Sequence, residues 1–173
     1  GVELRIAEPD GGAVAPGEAG EICVRGPVVS PGYRGAASGG QGARPGGWFR
    51  TGDLGRMDEQ GFLTVLDRRD DLVISGGENV YPAEVERALA AHPDVLEAAV
   101  AGRPDDEWGA VVVGMVVRRP HAPADEKALI AHCRDRLAAY KAPRLIRFVD
   151  RLPRNSLGKV MRREVARAFE TNV

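Results

Sequence analysis

The stretch from Asp67 to Glu86, DRRDDLVISGGENVYPAEVE, constrains what this chain can fold into more than any other. A charge cluster (Asp67, Arg68, Arg69, Asp70, Asp71) runs into a short apolar run, Leu72-Val73-Ile74, and then into Ser75-Gly76-Gly77-Glu78-Asn79. Adjacent glycines permit positive φ and let another backbone or a ligand come close. Pro82 suits the first turn of a helix, where a missing N–H costs nothing. Glu84 and Glu86 then lie near the positive end of that helix's dipole. Read locally, the stretch is a surface loop joining a strand to a helix, with Arg69 and Asp71 belonging to a solvated charge run.

The chain's length allows one ordinary domain or two small ones: it has 173 residues, 43% of them apolar, enough for a packed core. A net charge of −1 gives no global drive towards nucleic acid or an anionic membrane. Cys23 and Cys133 are far apart and share no metal-ligand spacing with the three histidines, so no metal site is expected among them. Both are expected to be buried free thiols, as in a cytoplasmic protein. No apolar run reaches the length needed to span a bilayer, and no signal-peptide pattern opens the chain. The chain starts at Gly1 and enters at once into the alternation Val2-Glu3-Leu4-Arg5-Ile6, which suggests a piece of a longer polypeptide.

In the first third, short strands alternate with turn signals. Val2 to Ala7, Glu21 to Arg25 and Phe62 to Leu66 read as strands, and Glu8 to Gly12 as a hairpin turn. Gly35 to Gly47 is rich in Gly, Ala and Ser without periodicity and reads as a mobile loop. Repeated strands without helices suggest a small barrel or twisted sheet. Beyond Val80 the pattern changes. Pro82 to His92 and Asp125 to Ala139 have apolar residues at helical spacing, and Val160 to Phe169 reads as a final helix. Val95 to Ala101, Val111 to Val117 and Arg144 to Val149 read as strands, the second so rich in valine that it is expected at the centre of its sheet.

Three segments in order resemble the adenylate-forming enzymes, the superfamily of acyl-CoA synthetases, carrier-loading adenylation domains and luciferases. They are WFRTGD (Trp48 to Asp53), the Asp67–Glu86 stretch, and PRNSLGK (Pro153 to Lys159). The resemblance covers essentially the whole chain and is weakest around Gly35 to Gly47, where Ala36-Ala37-Ser38-Gly39-Gly40 replaces the family's usual proline, glutamate and threonine. It implies an α+β architecture. Residues 1–69 would be the β-rich tail of a large adenylation domain, and residues 70–173 a small lid domain with a three-stranded sheet and helices, hinged near Asp70.

The resemblance also implies roles. Asp53 matches an aspartate that accepts hydrogen bonds from the ribose hydroxyls of ATP, although an aspartate after Thr-Gly can also simply cap a turn. Arg68 matches an arginine near the ribose and phosphates, a task suited to a planar, permanently charged guanidinium. Gly76, Gly77 and Glu78 match the lining of the tunnel through which the pantetheine of CoA reaches the adenylate. Trp108 reads equally as core packing or as the aromatic beside that channel. GEICVRGPVVSPGY (Gly20 to Tyr33) resembles a family motif of structural role, and no chemistry is assigned to it.

Between Lys141 and Arg167 lie nine Lys or Arg residues, opposed locally only by Asp150 and Glu164. Such a stripe calls for an anion. The aromatic residues expected for stacking single-stranded nucleic acid are missing, and the phosphates of CoA are the favoured ligand, with Lys141 and Arg144 the candidates. Lys159 matches the family's catalytic lysine, whose charge stabilises the negative charge that develops as a carboxylate attacks the α-phosphate of ATP. Acetylation of Lys159 by a lysine acetyltransferase is a regulatory expectation drawn from the same resemblance.

ISGGENVYPAEVE resembles the fatty- and aryl-CoA ligases more than the carrier-loading domains, and the expected activity is that of an AMP-forming acyl-CoA synthetase of fatty-acid metabolism. Carrier loading is the first alternative, and a non-catalytic anion-binding module the second. The chain contains no phosphate loop of the family's type, no acyl-pocket segment and no residue matched to the family's Mg²⁺ ligand. The large domain would supply these, and the fragment alone is expected to be inactive.

Overall fold

The computed structural model describes residues 1–30, 43–44 and 46–170. These form two compact units, Gly1–Asp70 and Asp71–Val173. The segment read as a mobile loop lies for the most part outside the described residues.

The first unit is a β-sheet of strands β1 (Glu3–Ala7), β2 (Ala19–Arg25), β3 (Ala43–Arg44), β4 (Trp48–Met57) and β5 (Leu63–Arg68). β2 lies between β1 and β4, and β4 also pairs with β3 and β5, all antiparallel. The three strands expected from sequence are present. WFRTGD, however, is not a turn: it opens the ten-residue strand β4. The turn-forming character of Thr-Gly is absorbed by a bulge, where Thr51, Gly52 and Asp53 together face Ile22 while Arg50 pairs with Cys23 and Leu54 with Glu21. A bulge needs one residue off the regular pleat, and Gly52 supplies it with φ of +79°. Ile6, Ile22, Cys23 and Leu54 are buried in this unit.

The second unit is the α+β domain anticipated from the alternation of periods. A hairpin of β6 (Val73–Ser75) and β7 (Glu78–Val80) leads into α1 (Pro82–Ala90), followed by β8 (Val95–Asp105), β9 (Gly109–Arg118), α2 (Glu126–Arg134), β10 (Leu145–Phe148) and α3 (Arg162–Arg167). The main sheet has the order β10-β9-β8, with β9 antiparallel to β8 and parallel to β10. The valine-rich segment is thus the central strand, as its composition predicts. Because it is covered on both faces, seven consecutive residues from Val111 to Val117 are buried.

Two helices pack over one face. Val85, Ala88 and Leu89 of α1 meet Leu129 and Cys133 of α2 above Val100, Val112 and Val116. The opposite face is covered by Val165 of α3 and Phe169, against Ala99, Ala101, Val113, Met115 and Val117. Asp125 caps α2 by accepting a hydrogen bond from the N–H of Ala128 at 2.8 Å, an arrangement that contributes about 1 kcal/mol. The helix ends at Arg134, short of the expected Ala139. β8 and β9 run further than expected, and only residues 106–108 separate them.

Both cysteines are buried and free. Burial among Leu129 and its neighbours pushes the Cys133 thiol up to about 11. The folded thiol therefore titrates above the unfolded one. Its contribution to stability is fully present below the ordinary thiol value of about 8.5 and is lost as pH rises towards 11. Iodoacetamide at pH 8 is expected to leave Cys133 unmodified in the native protein and to label it after denaturation, read by peptide mass spectrometry. Rapid native labelling would contradict the buried assignment.

Candidate functional site

In the first unit, Asp53 and Arg68 are direct cross-strand partners on β4 and β5. Arg68 Nε donates to Asp53 Oδ1 at 2.8 Å, with both side chains open to solvent. The sheet register thus brings together two residues fifteen positions apart in the sequence. The Asp53 backbone is fixed as well. Its N–H donates to Thr51 Oγ1 at 3.1 Å, and the Thr51 hydroxyl donates to the carbonyl of Ile22 at 2.9 Å.

Beneath this pair sits a group that sequence reasoning missed. Glu21 is only 3% exposed and Arg50 only 6%. Arg50 donates to Glu21 Oε2 at 2.6 Å and also to the carbonyls of Pro9 and Glu8. A buried carboxylate is tolerated only when paired and hydrogen-bonded, and Glu21 meets both conditions. The signal was present in the glutamate of GEICVRG, an acidic residue inside an apolar strand. Arg69 Nη1 reaches the same carboxylate at 3.4 Å, and Asp71 accepts from Arg162 at 2.8 Å. Neither Arg69 nor Asp71 belongs to a solvated charge run, because each finds an opposite charge distant in sequence. Asp70, between them, is the last residue of the first unit, with its side chain 82% exposed.

In the second unit, the glycines of the Asp67–Glu86 stretch form a two-residue hairpin turn rather than an open loop. Ser75 pairs with Glu78 across it. Gly76 and Gly77 both have positive φ, +60° and +84°, the combination a type I′ turn demands. The turn is pinned from outside. Gly76 N–H donates to the carbonyl of Trp108 at 3.0 Å, and a Cβ at Gly76 would lie 2.8 Å from Cε3 of Trp108. At Gly77 a Cβ would meet nothing within 4 Å. Within this unit, the close contact that excludes a side chain is thus at Gly76 and not at Gly77.

Trp108 is itself held by Asp105, whose Oδ1 accepts its N–H at 3.0 Å. The guanidinium of Arg144 lies 5.0 Å from the Trp108 ring centroid, within cation–π range. Gly76, Trp108 and Arg144 thus form one cluster, and Glu78 is exposed on the same hairpin. The indole Nε1 of Trp108 is buried without a hydrogen-bond partner among the described residues. Lys141 does not offer a bare charge: its ammonium donates to both oxygens of Glu84 on α1, at 2.9 and 2.8 Å.

Lys159 is exposed on a tight loop whose ends, Arg154 and Val160, form a β-bridge. Asn155 organises the loop through its side-chain oxygen, which accepts from the N–H groups of Leu157 at 3.0 Å and Lys159 at 2.9 Å. Arg154 closes it by donating to the carbonyl of Gly158 and to Glu97. Among the described residues no ion pair involves Lys159. There is likewise, among them, no group of three or more His, Cys, Asp or Glu that could hold a metal ion, and no helix is long and apolar enough to cross a membrane.

Residues 84–159 match the AMP-binding enzyme C-terminal domain family. The chain belongs to the adenylate-forming enzymes. It is 56% identical to the 2-succinylbenzoate–CoA ligase of Geobacillus kaustophilus over 91% of its own length and 32% of that protein's. Among solved structures, the o-succinylbenzoate CoA synthetase of Bacillus subtilis bound to its acyl-adenylate intermediate is 47% identical. That match covers 95% of this chain and 33% of the synthetase, with a TM-score of 0.85. ATP-bound MatB from Rhodopseudomonas palustris is 39% identical over 99% of this chain and 34% of its own, with a TM-score of 0.90. The chain spans about a third of the length of the curated relatives it matches. The B. subtilis synthetase has also been solved with ATP and a magnesium ion.

An alanine at position 76 would combine a left-handed backbone with a clash against Trp108. Gly76→Ala is expected to destabilise the second unit by about 1–3 kcal/mol, while Gly77→Ala, which lacks the clash, costs less. Urea denaturation of the two variants measures the difference, and equal midpoints would refute it.

Proposed function

We propose that this chain supplies the lid and the adjoining β-subdomain of an AMP-forming acyl-CoA synthetase. A carboxylate oxygen attacks the α-phosphorus of ATP, forming acyl-AMP and releasing pyrophosphate. The CoA thiol then attacks the acyl carbon, its proton is lost, and thioester and AMP leave. The observation that carries this reading is the presentation of Lys159, a cation with no counter-ion among the described residues, on a loop fixed by Asn155. A preorganised positive charge of this kind stabilises developing negative charge without reorganisation at the moment of reaction.

Other residues have supporting roles in the same proposal. Asp53 accepts hydrogen bonds from the ribose hydroxyls, and Arg68, already at 2.8 Å from it, faces the ribose and phosphates. Gly76 and Gly77 let pantetheine pass close to the backbone, beside Trp108 and Glu78. Arg144 meets the phosphates of CoA. Lys141 contributes there only if its pair with Glu84 opens, and otherwise anchors its turn to α1. Asp70, at the unit boundary, is the hinge about which the lid turns between half-reactions.

In this proposal the residues named serve ATP and CoA, and among the described residues no group of three or more His, Cys, Asp or Glu could hold a metal ion. We assign Mg²⁺, when bound, to the remaining two thirds of the protein, where it would neutralise phosphate charge. The fragment alone is accordingly expected to be inactive. The relatives' names favour an aryl acid over a fatty acid, so the expectation of fatty-acid metabolism is set aside and 2-succinylbenzoate is the first acid to test. Acetylation of Lys159 would remove the charge on which the first half-reaction depends.

ATP–pyrophosphate exchange with 2-succinylbenzoate, followed by thioester formation with CoA, tests the proposal. In the full polypeptide carrying this chain, Lys159→Ala is expected to lower exchange by about 10²–10³-fold, the scale of removing one preorganised electrostatic group. The 173-residue chain alone is expected to show none. Undiminished exchange in Lys159→Ala would overturn the catalytic assignment. Exchange by the chain alone would show that the machinery is complete within it.

A further inference from the structure

We infer that Glu21 is a positioning residue for the nucleotide pair Asp53–Arg68, an inference that rests on the nucleotide roles proposed above. The geometry is specific. The two oxygens of this single carboxylate grip the chain immediately beside each member of the pair. Oε1 accepts the N–H of Gly52 at 3.1 Å, directly before Asp53, and Oε2 accepts from Arg69 Nη1 at 3.4 Å, directly after Arg68. Oε2 also takes the 2.6 Å hydrogen bond from buried Arg50, and Arg50 is tied to the carbonyls of Glu8 and Pro9 on the far side.

The bulge explains why such a clamp is needed. A bulge leaves backbone groups without ladder partners. Here the register breaks between Glu21 and Cys23, opposite Thr51, Gly52 and Asp53. Gly52 sits at positive φ, a conformation with many alternatives in a flexible glycine. The Glu21 side chain supplies the acceptor that the broken ladder withholds, and so selects one conformation of the peptide that aims Asp53. The same carboxylate draws Arg69 inward, which orients the end of β5 that carries Arg68. Displacing a binding group by about 1 Å can cost about 10²-fold in rate, so a residue that touches no substrate acts through this geometry.

The consequence differs from that of a purely structural ion pair. Loss of stability alone would lower the fraction of active protein and leave Michaelis constants unchanged. Loss of positioning raises KM for ATP and leaves KM for the acid alone. The experiment uses the full polypeptide carrying this chain, with Glu21→Gln, Arg69→Met and Asp53→Ala compared in steady-state assays varying ATP and acid separately.

Glu21→Gln is expected to raise KM for ATP about tenfold, a change of about 1.4 kcal/mol in nucleotide binding, with KM for the acid within twofold of the parent. Arg69→Met, at a half-exposed position, is expected to show a smaller rise of the same kind. It decides the matter if Glu21→Gln does not fold. Should Asp53→Ala raise KM for ATP while neither Glu21→Gln nor Arg69→Met does, the positioning role is overturned and the nucleotide reading stands. If Asp53→Ala itself leaves KM for ATP unchanged, the nucleotide reading falls and the inference falls with it.

Discussion

The second unit depends on the burial of β9 on both faces. A strand between two helical layers cannot alternate apolar and polar residues, and the run Val111-Val112-Val113-Gly114-Met115-Val116-Val117 meets that demand. Val112 and Val116 point into the core beneath α1 and α2, and Val113, Met115 and Val117 into the core beneath α3. Every other element of the unit is placed relative to this strand. The candidate residues follow from it: Trp108 stands one residue before its start, and Arg144 donates its N–H to the carbonyl of Val112. The cation–π contact between Trp108 and Arg144 is therefore set by one strand's register.

The first unit is organised differently, because its apolar interior is smaller and a buried ion pair lies within it. Replacing such a pair with apolar residues is often neutral or stabilising, whereas removing one partner leaves an uncompensated charge. The pair between Glu21 and Arg50 is thus weak evidence for stability in itself. Its value lies in direction. Arg50 presents several donors in a fixed fork, and Glu21 accepts from three separate points of the chain. Apolar contacts could fill the same space but could not specify one backbone geometry at Gly52.

Sequence reasoning reached the fold of the second unit because its periodicities are strong: a valine run, and helical spacing at Val85, Ala88 and Leu89. It singled out Asp53 and Arg68 as residues of interest but had no means to pair them, since that contact is a matter of strand register. β4 was missed because Thr-Gly-Asp carries turn chemistry, and a bulge inside a strand uses the same residues as a turn. The ends of β8 and β9 were missed for a related reason, as Gly102, Arg103 and Pro104 read as punctuation although β8 continues through them. Glu21 was passed over because its partner Arg50 lies on another strand. Arg69 and Asp71 were misjudged because the charges that neutralise them are distant in sequence.

The basic stripe between Lys141 and Arg167 shows most clearly what folding adds to composition. In sequence it is opposed only by Asp150 and Glu164, which suggests a continuous anion-binding face. In the folded unit, Lys141 is held by Glu84, Arg154 by Glu97, Arg162 by Asp71 and Glu86, and Arg167 by Glu164. These acids come from the segment just before β6, from α1, from β8 and from α3 itself, so much of the stripe serves to tie elements together. Arg144 and Lys159 are placed otherwise: the first lies against an aromatic face, and the second stands on a loop whose polar groups satisfy one another. An ion pair near the surface adds little stability, but it removes a cation from competition for a ligand. Pairing four of the nine cations therefore narrows the places open to an anion to the five outside these pairs, Arg144, Arg147, Arg151, Lys159 and Arg163, and Arg147, like Arg144, lies over an aromatic ring, that of Phe169.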